Sequence, residues 1–229
     1  MQQSPSEASE SRLSRVLQSG PPLGMNSRGE SNILRLLDGA GPVGEPMPQS
    51  FEEPAELGNI AVETGPERAL LAFVFTDIVG STEMAERLGD HAWCALLLRH
   101  HALVRTHIGR FGGKEIDTAG DGFFVVFDRP SRALQFLTVV RKILAEIGIH
   151  IRAGVHAGEC EVAGPRVEGV AVHVAARVAG AAGSGDIMVS ATVRELLAGS
   201  EFRFKGGDLH ELKGLAEPRA LFALESRAD

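Results

Sequence analysis

Two aspartates of this 229-residue chain stand near glycines in a pattern that suits the binding of a divalent cation. Asp77 closes the apolar segment 70–77, and Asp121 lies in the glycine-rich turn 119–122. Carboxylate oxygens without a nearby histidine or cysteine suit Mg²⁺ or Mn²⁺, which usually also bind substrate phosphates. Either aspartate alone is explained by an ordinary helix cap or turn, whereas the pair favours a metal site. Three small residues after Asp77 would begin a helix whose N–H groups face a phosphate, namely Gly80, Ser81 and Thr82.

The elements that must position these aspartates alternate between strands and helices. Short apolar segments bounded by turn residues predict strands, and longer segments that begin with capping residues predict helices. The predicted strands are 70–77, 114–118, 123–127, 150–156, 159–163, 187–189, 208–212 and 219–224. The predicted helices are 81–111 with a break at Gly89 and Asp90, 128–147 and 170–181.

This order of elements predicts an α+β fold with a ferredoxin-like βαββαβ core and C-terminal additions. Its sheet would be antiparallel or mixed and covered by helices on one face. The first strand and the hairpin are neighbours in such a sheet, so Asp77 and Asp121 would lie close together at one edge. Two close carboxylates are unfavourable unless a cation lies between them.

The composition of the chain changes sharply near residue 68. Eight of the eleven prolines precede it, and residues 1–68 contain ten acidic and five basic side chains but one aromatic ring. A segment this poor in large apolar groups cannot offset the entropy of ordering its backbone. We therefore predict a disordered or weakly structured tail at 1–68, a folded domain at 69–224 and a short C-terminal tail at 225–229.

Charge and cysteine content argue against several functional classes. The net charge of −7 argues against a generic nucleic-acid-binding face. No apolar run approaches the ~20 residues of a membrane span, and the N-terminus lacks the features of a secretory signal. Two cysteines are too few for a disulfide framework or a four-ligand zinc site. The expected location is the cytoplasm.

Five segments of the chain follow one another as ordered motifs: residues 75–82 (FTDIVGST), 118–122 (TAGDG), 152–158 (RAGVHAG), 172–177 (VHVAAR) and 212–214 (LKG). They resemble the motifs of class III adenylate/guanylate cyclase catalytic domains. The resemblance covers about residues 69–224 and implies the class III cyclase fold. It also implies that a nucleoside triphosphate is converted to a 3′,5′-cyclic nucleotide and pyrophosphate, in a homodimer whose two active sites are shared between the chains.

The resemblance also implies roles for individual residues. Asp77, Asp121 and the Ile78 carbonyl match the ligands of two Mg²⁺ or Mn²⁺ ions, and the helix start at 80–82 would lie against the phosphates. Arg177 of the second chain matches an arginine that stabilises the transition state, and Lys213 occupies a region that sends a lysine to the triphosphate. A solvated helix residue and a solvated loop lysine are the alternatives for these two.

Three positions depart from the usual family pattern. Asp117 stands where adenylate cyclases usually carry a lysine and guanylate cyclases a glutamate, and Arg166 stands where adenylate cyclases usually carry an aspartate. His173 replaces the ribose-orienting asparagine, and a histidine packed in the core is its alternative explanation. Lys114 stands three positions before Asp117, so strict strand alternation predicts that the two face opposite sides of the sheet.

Asp117 and Arg166 leave the identity of the base open. A carboxylate accepts from both N–H donors of guanine while Arg166 donates to O6, and uracil is also compatible. Adenine fits with the roles exchanged, and the two side chains would read nothing if they paired with each other. ATP is slightly favoured because the family usually makes cyclic AMP.

Two further functions remain alternatives at this stage. Guanylate or pyrimidine cyclase activity needs only another base, and a degenerate domain would bind nucleotide without turnover. A diguanylate cyclase would carry a second acidic residue in the hairpin where Gly122 stands, so the sequence argues against that activity.

Overall fold

The computed structural model describes residues 67–225, and its elements follow closely the order predicted from the sequence. The rest of the predicted N-terminal tail and residues 226–229 lie outside the described residues. The helices are α1 (Ser81–Leu88), α2 (Asp90–Arg110), α3 (Pro130–Glu146), α4 (Val170–Gly180) and α5 (Ala191–Leu196). The strands are β1 (Glu67–Ile78), β2 (Lys114–Ala119), β3 (Gly122–Phe127), β4 (Ile151–Ala163), β5 (Arg166–Glu168), β6 (Ile187–Ser190), β7 (Phe204–His210) and β8 (Arg219–Leu224).

The strands form one mixed sheet in the order β2-β3-β1-β4-β6-β8-β7, with β5 paired to β4. β4 and β6 pair in parallel, and the other neighbours are antiparallel. β1 lies between β3 and β4, so the first four strands with α1, α2 and α3 build the predicted βαββαβ core. The α+β prediction with C-terminal additions is confirmed.

Helices cover both faces of the sheet, so the prediction that they cover one face was wrong. The even-numbered apolar side chains of β1 pack with α2, α3 and α5, whereas the odd-numbered Phe73 and Phe75 pack with α4 on the opposite face. Small side chains let α4 lie directly on β4. A Cβ on Gly154 would lie 2.1 Å from the backbone nitrogen of Ala179. We call the two surfaces of the sheet the α2 face and the α4 face.

A β-bulge in β2 determines which of its side chains share a face. The register between β2 and β3 shifts between Glu115 and Asp117, which leaves Ile116 as the extra residue. Lys114 and Asp117 both lie opposite β3 residues that belong to the α4 face. The prediction that these two side chains face opposite sides was therefore wrong, because the bulge adds one residue to the count between them.

Several boundaries also differ from the predicted ones. β1 begins at Glu67, inside the predicted tail, because its ladder with β4 continues to the pair Glu67 and Val162. The same long ladder makes β4 one strand where two were predicted. β7 ends at His210 rather than at residue 212, and neither β5 nor α5 was predicted. Across residues 67–225, no helix combines the length and the apolar character needed to cross a bilayer.

Candidate active site

Asp77 and Asp121 meet at the edge of the sheet where β1 ends and the β2–β3 hairpin turns. Thr76 of β1 pairs with Phe123 of β3, so the next residue of β1 lies beside the turn that carries Asp121. The two carboxylates are close enough that Asp77 raises the pKa of Asp121. Ile78 is buried in the core on the α2 face, and its backbone hydrogen-bonds to Asp121. The structure thus brings the three predicted metal ligands together.

The Asp121 carboxyl group lies in surroundings that disfavour its charge. Burial is the main cause that raises its pKa to about 6, and the nearby charge of Asp77 adds to the shift. A hydrogen bond from Ser81 and two from backbone groups partly offset this effect. Asp121 Oδ2 is buried and has no hydrogen-bond partner in the described part of the chain.

This donor set fits a hard divalent cation. The candidate ligands at this edge of the sheet are oxygen atoms, which Mg²⁺ and Mn²⁺ prefer. One of them, in the described part of the chain, is buried without a hydrogen-bond partner. Such an ion would also remove the repulsion between Asp77 and Asp121. Among residues 67–225 there is no cluster of three or more His, Cys, Asp or Glu side chains arranged to hold a metal. The remaining ligands would have to come from water or substrate phosphates, as is usual for Mg²⁺.

Arg152 is a basic residue of the site that the sequence analysis did not single out. Its Nη2 and Nε atoms lie 2.6 Å and 3.0 Å from Asp77 Oδ2. The two residues are directly opposite each other in the ladder of β1 and β4. The signal was therefore a strand pairing, which cannot be read from either segment alone. A guanidinium group at this position is also suited to hydrogen-bond phosphate oxygens.

The predicted phosphate-binding residues lie at the start of α1, beside the aspartates. Gly80 is the N-cap residue with a φ of 65°, and Ser81 is the first residue of the helix. Ser81 and Thr82 therefore lie in the first turn and do not cap the helix as predicted. The hydroxyl group of Ser81 hydrogen-bonds to Asp121, so this turn and the metal-site candidate form one continuous surface.

Asp117 and Arg166 line one pocket of ≈ 500 Å³ on the α4 face. Phe75 and Phe124 also line it, and their rings stack with centroids 4.4 Å apart and planes within 5°. Within the described range Asp117 and Arg166 form no ion pair with each other, so both charges are available to a ligand. An apolar floor with charged groups at its rim suits a flat heterocycle. The pocket is completed by Ile116, Ala119, Pro165, Val167, Glu168 and Val172.

His173 and Arg177 lie on the side of α4 that points away from the sheet. They follow Val170 at helical spacings of three and seven residues, so the three side chains form one stripe. Val170 is 69% exposed, His173 is exposed and Arg177 is half-buried. The alternative that His173 is packed in the core is therefore excluded.

Lys213 lies in the loop 211–218 between β7 and β8. Leu212 is buried against Val174 and Val178 of α4, which fixes this loop on the α4 face. The loop borders its own cavity, which is separate from the pocket of Asp117.

The family of the chain follows from a comparison with known families. The family model of the adenylate and guanylate cyclase catalytic domain matches residues 67–226. These are 160 of the 229 residues, or about 70% of the chain. The chain belongs to this family. The resemblance predicted from the motifs is confirmed.

Curated relatives of this cyclase domain include two much longer proteins. The adenylate cyclase of Lachancea kluyveri is 31% identical over 172 residues, which is 62% of this chain and 9% of that protein. The putative adenylate cyclase 3 of Rhizobium meliloti (strain 1021) is 26% identical over 160 residues, which is 66% of this chain and 27% of that protein. The chain thus spans a minor part of the length of these relatives.

Solved cyclase structures share the fold. The adenylyl cyclase CyaB from P. aeruginosa superposes with a TM-score of 0.66 at 22% identity, over 71% of this chain and 96% of that one. The guanylate cyclase domain of RhGC from Catenaria anguillulae, solved with GTP, gives a TM-score of 0.62 at 21% identity, over 71% and 100% of the two chains. At these identities the likeness supports the fold and leaves the base open.

Proposed function

We propose that this cyclase domain converts a nucleoside triphosphate, with ATP slightly favoured, to a 3′,5′-cyclic nucleotide and pyrophosphate. In this reaction the ribose 3′-oxygen forms a bond to the α-phosphorus, and the bond from that phosphorus to the pyrophosphate oxygen breaks. The observation that carries the proposal is the pair Asp77 and Asp121, with one buried and unpartnered carboxylate oxygen, in a member of the cyclase family.

Asp77, Asp121 and the Ile78 carbonyl would hold two Mg²⁺ or Mn²⁺ ions in each active site. When bound, such ions activate the hydroxyl group and neutralise charge on the phosphates. Arg152 and the first turn of α1 lie at the same edge of the sheet, where their N–H groups can bind phosphate oxygens. Lys213 adds a cation from the loop on the α4 face.

The active site is proposed to be shared between the two chains of a homodimer. His173 and Arg177 project from the exposed stripe of α4, which supports a role toward a second chain rather than toward their own core. In the assembled site Arg177 of one chain would donate to the oxygens of the reacting phosphate, because its planar fork suits phosphate geometry. His173 would donate one hydrogen bond to the ribose.

Asp117 and Arg166 are proposed to contact the base in the pocket floored by Phe75 and Phe124. Within the described residues, Asp117 and Arg166 form no ion pair with each other, which favours base recognition over a purely structural pair. Relatives named adenylate cyclase favour ATP, whereas the carboxylate of Asp117 favours the two N–H donors of guanine. GTP or a pyrimidine nucleotide is therefore the second candidate substrate.

The proposal is tested by incubating the full-length chain with ATP, GTP, CTP or UTP in the presence of Mn²⁺. Mass spectrometry should detect a 3′,5′-cyclic nucleotide and an equal amount of pyrophosphate with at least one substrate. Asp121→Asn should abolish this product. Asp128→Asn is the matched control, because Asp128 is an exposed aspartate at the opposite end of β3. If no substrate gives a cyclic product, the chain is a nucleotide-binding domain without turnover.

A further inference from the structure

Helix α2 holds the β2–β3 hairpin from the face opposite the base pocket. Arg105 binds Glu115 in a bidentate ion pair, with Nε to Oε2 and Nη2 to Oε1 both at 2.8 Å. Thr118 donates to the same carboxylate at 2.6 Å. The bond from Arg105 is the main cause that lowers the pKa of Glu115, so this carboxylate stays ionised. The network fixes β2 near its middle and leaves the turn itself to another contact.

That contact is made by His101. Its Nε2 atom lies 3.0 Å from the carbonyl oxygen of Gly120. A carbonyl can only accept, so Nε2 carries the proton and donates. Burial is the main cause that lowers the pKa of His101, which keeps the ring neutral at neutral pH. The ring also meets Phe123 edge-on, with centroids 5.2 Å apart and planes at 90°. These contacts hold the donor in one orientation.

The position of Gly120 gives this bond its importance. Gly120 has a φ of 61° in the tight turn and directly precedes Asp121 in the chain. Asp121 lies close to Asp77, although burial and the repulsion between the two carboxylates both disfavour its charge. The pairing of Ala119 with Gly122 holds the two ends of the turn. The hydrogen bond from His101 to the Gly120 carbonyl restrains its tip from a different element, helix α2.

We propose that His101 is a positioning residue for the metal pair. Its hydrogen bond to the Gly120 carbonyl keeps the turn in the conformation that directs Asp121 toward Asp77, and thereby increases the affinity of the site for a divalent cation. The inference rests on the metal site of the proposed function, but not on the cyclisation reaction.

The test measures Mn²⁺ binding to the full-length, nucleotide-free protein by electron paramagnetic resonance of the free ion. His101→Leu removes the donor at similar size, and we expect its Kd for Mn²⁺ to rise about fivefold or more. His101→Gln keeps an N–H donor and should bind within about twofold of the wild type. Asp121→Asn gives the signal of a lost site.

His107→Leu is the matched control. His107 is a buried histidine of the same helix, and its Nδ1 bonds to the Leu103 carbonyl within that helix at 2.8 Å. Its loss should lower the melting temperature without changing the Kd for Mn²⁺. Unchanged Mn²⁺ affinity in His101→Leu would overturn the proposal, and so would an equal loss in His107→Leu or in His101→Gln.

The cyclisation reaction and the positioning role of His101 can be refuted separately. A wild-type protein that binds Mn²⁺ through Asp121 but makes no cyclic nucleotide would refute the cyclisation, and the weakened binding of His101→Leu would still support the positioning role. A wild-type protein whose Mn²⁺ binding equals that of Asp121→Asn would overturn the positioning role together with the metal site.

Discussion

At the scale of single residues, Asp121 combines a cost to folding with suitability for a cation. Burial, and then Asp77, raise its pKa from 3.8 to about 6. The folded protein therefore binds this proton more tightly than the unfolded chain does. Stability from this group is present below pH 3.8, and it is lost as the pH rises to about 6. At neutral pH the metal-free fold carries the full penalty.

Asp121→Asn should therefore stabilise the metal-free protein at neutral pH while it abolishes the metal site. We expect a gain in the free energy of unfolding on the order of 1–3 kcal/mol at pH 7.5, which shrinks toward zero near pH 4. Urea unfolding in EDTA at several pH values measures it. Asp128→Asn, which removes an exposed partner of Arg132, should not produce such a gain. A difference between wild type and Asp121→Asn that is independent of pH would contradict the assigned penalty.

The base pocket allows a second prediction at this scale. Asp117→Lys combined with Arg166→Asp would present the donors and acceptors that adenylate cyclases usually carry. If these residues read the base, the ratio of kcat/KM for ATP to that for GTP should rise tenfold or more, about 1.4 kcal/mol. Exchanging the exposed pair Arg68 and Glu159 is the control, since it swaps charges on the same sheet outside the pocket. A ratio that stays constant while both rates fall would make Asp117 and Arg166 structural residues.

At the scale of elements, the close approach of α4 to β4 fixes one wall of the base pocket. Gly154 has no room for a side chain, since an added Cβ would lie 2.1 Å from the backbone of α4. Ala171 approaches Gly158 in the same way, at 2.7 Å from an added Cβ. Neither backbone atoms nor the Cβ atom of Ala171 can rotate aside, so this packing depends on both glycines.

Gly154→Ala should destabilise the domain by about 3 kcal/mol or more, because the helix must move off the strand. Gly109→Ala is the matched control: Gly109 lies inside α2 with nothing within 4 Å of an added Cβ, and helix propensity predicts a gain of about 0.5–1 kcal/mol. Denaturant unfolding measures both changes. Equal stability of the two variants would show that α4 does not lie on β4 as described.

How far the sequence predicts these elements depends on whether the signal is local. The strand before Asp77, the hairpin around Asp121 and the helices that follow are marked by apolar runs, glycines and prolines that lie next to one another in the chain. The face taken by α4, the pair of Arg152 with Asp77 and the bond from His101 to Gly120 depend on which distant segments meet. No pattern within one segment encodes such a meeting. The face taken by α4 was therefore predicted wrongly, and the two contacts were not predicted.

At the scale of the whole molecule, the outer side of α4 is exposed in a single chain. The stripe of Val170, His173 and Arg177 points away from the sheet, and the pocket of Asp117 stays open to solvent. The proposed homodimer would close both, with the aspartates of one chain meeting Arg177 of the other.

Shared sites predict that two inactive variants restore activity when they are mixed. Asp77→Ala and Arg177→Ala should each be inactive, and a mixed dimer holds one intact site and one site with both defects. With free exchange of subunits, an equal mixture should reach about a quarter of the wild-type rate. Product formation after mixing measures this.

A mixture of Asp77→Ala with Asp121→Ala is the control, because both defects lie in the same half of each site and no intact site can form. If neither mixture recovers activity in a preparation shown to exchange subunits, each active site is contained in one chain.

The bulge at Ile116 shifts by one residue the alternation of side chains between the two faces of the sheet along β2. Downstream of it, Asp117 and Thr118 keep the alternation set by the hairpin, while upstream Lys114 and Glu115 follow the opposite one. If the ladder ran without the bulge and Ile116 paired with Val125, Glu115 would turn away from Arg105 and Lys114 would face that arginine instead.

Counting positions along β2 from Asp121 therefore assigns the residues upstream of the bulge to the wrong face of the sheet. A relative with the same number of residues between the glycine turn and its upstream lysine, but with no bulge, places that lysine on the other surface of the sheet, even when the letters align. Partners on β3, rather than distance in sequence from Asp121, are the frame in which specificity residues of this strand can be exchanged between cyclases.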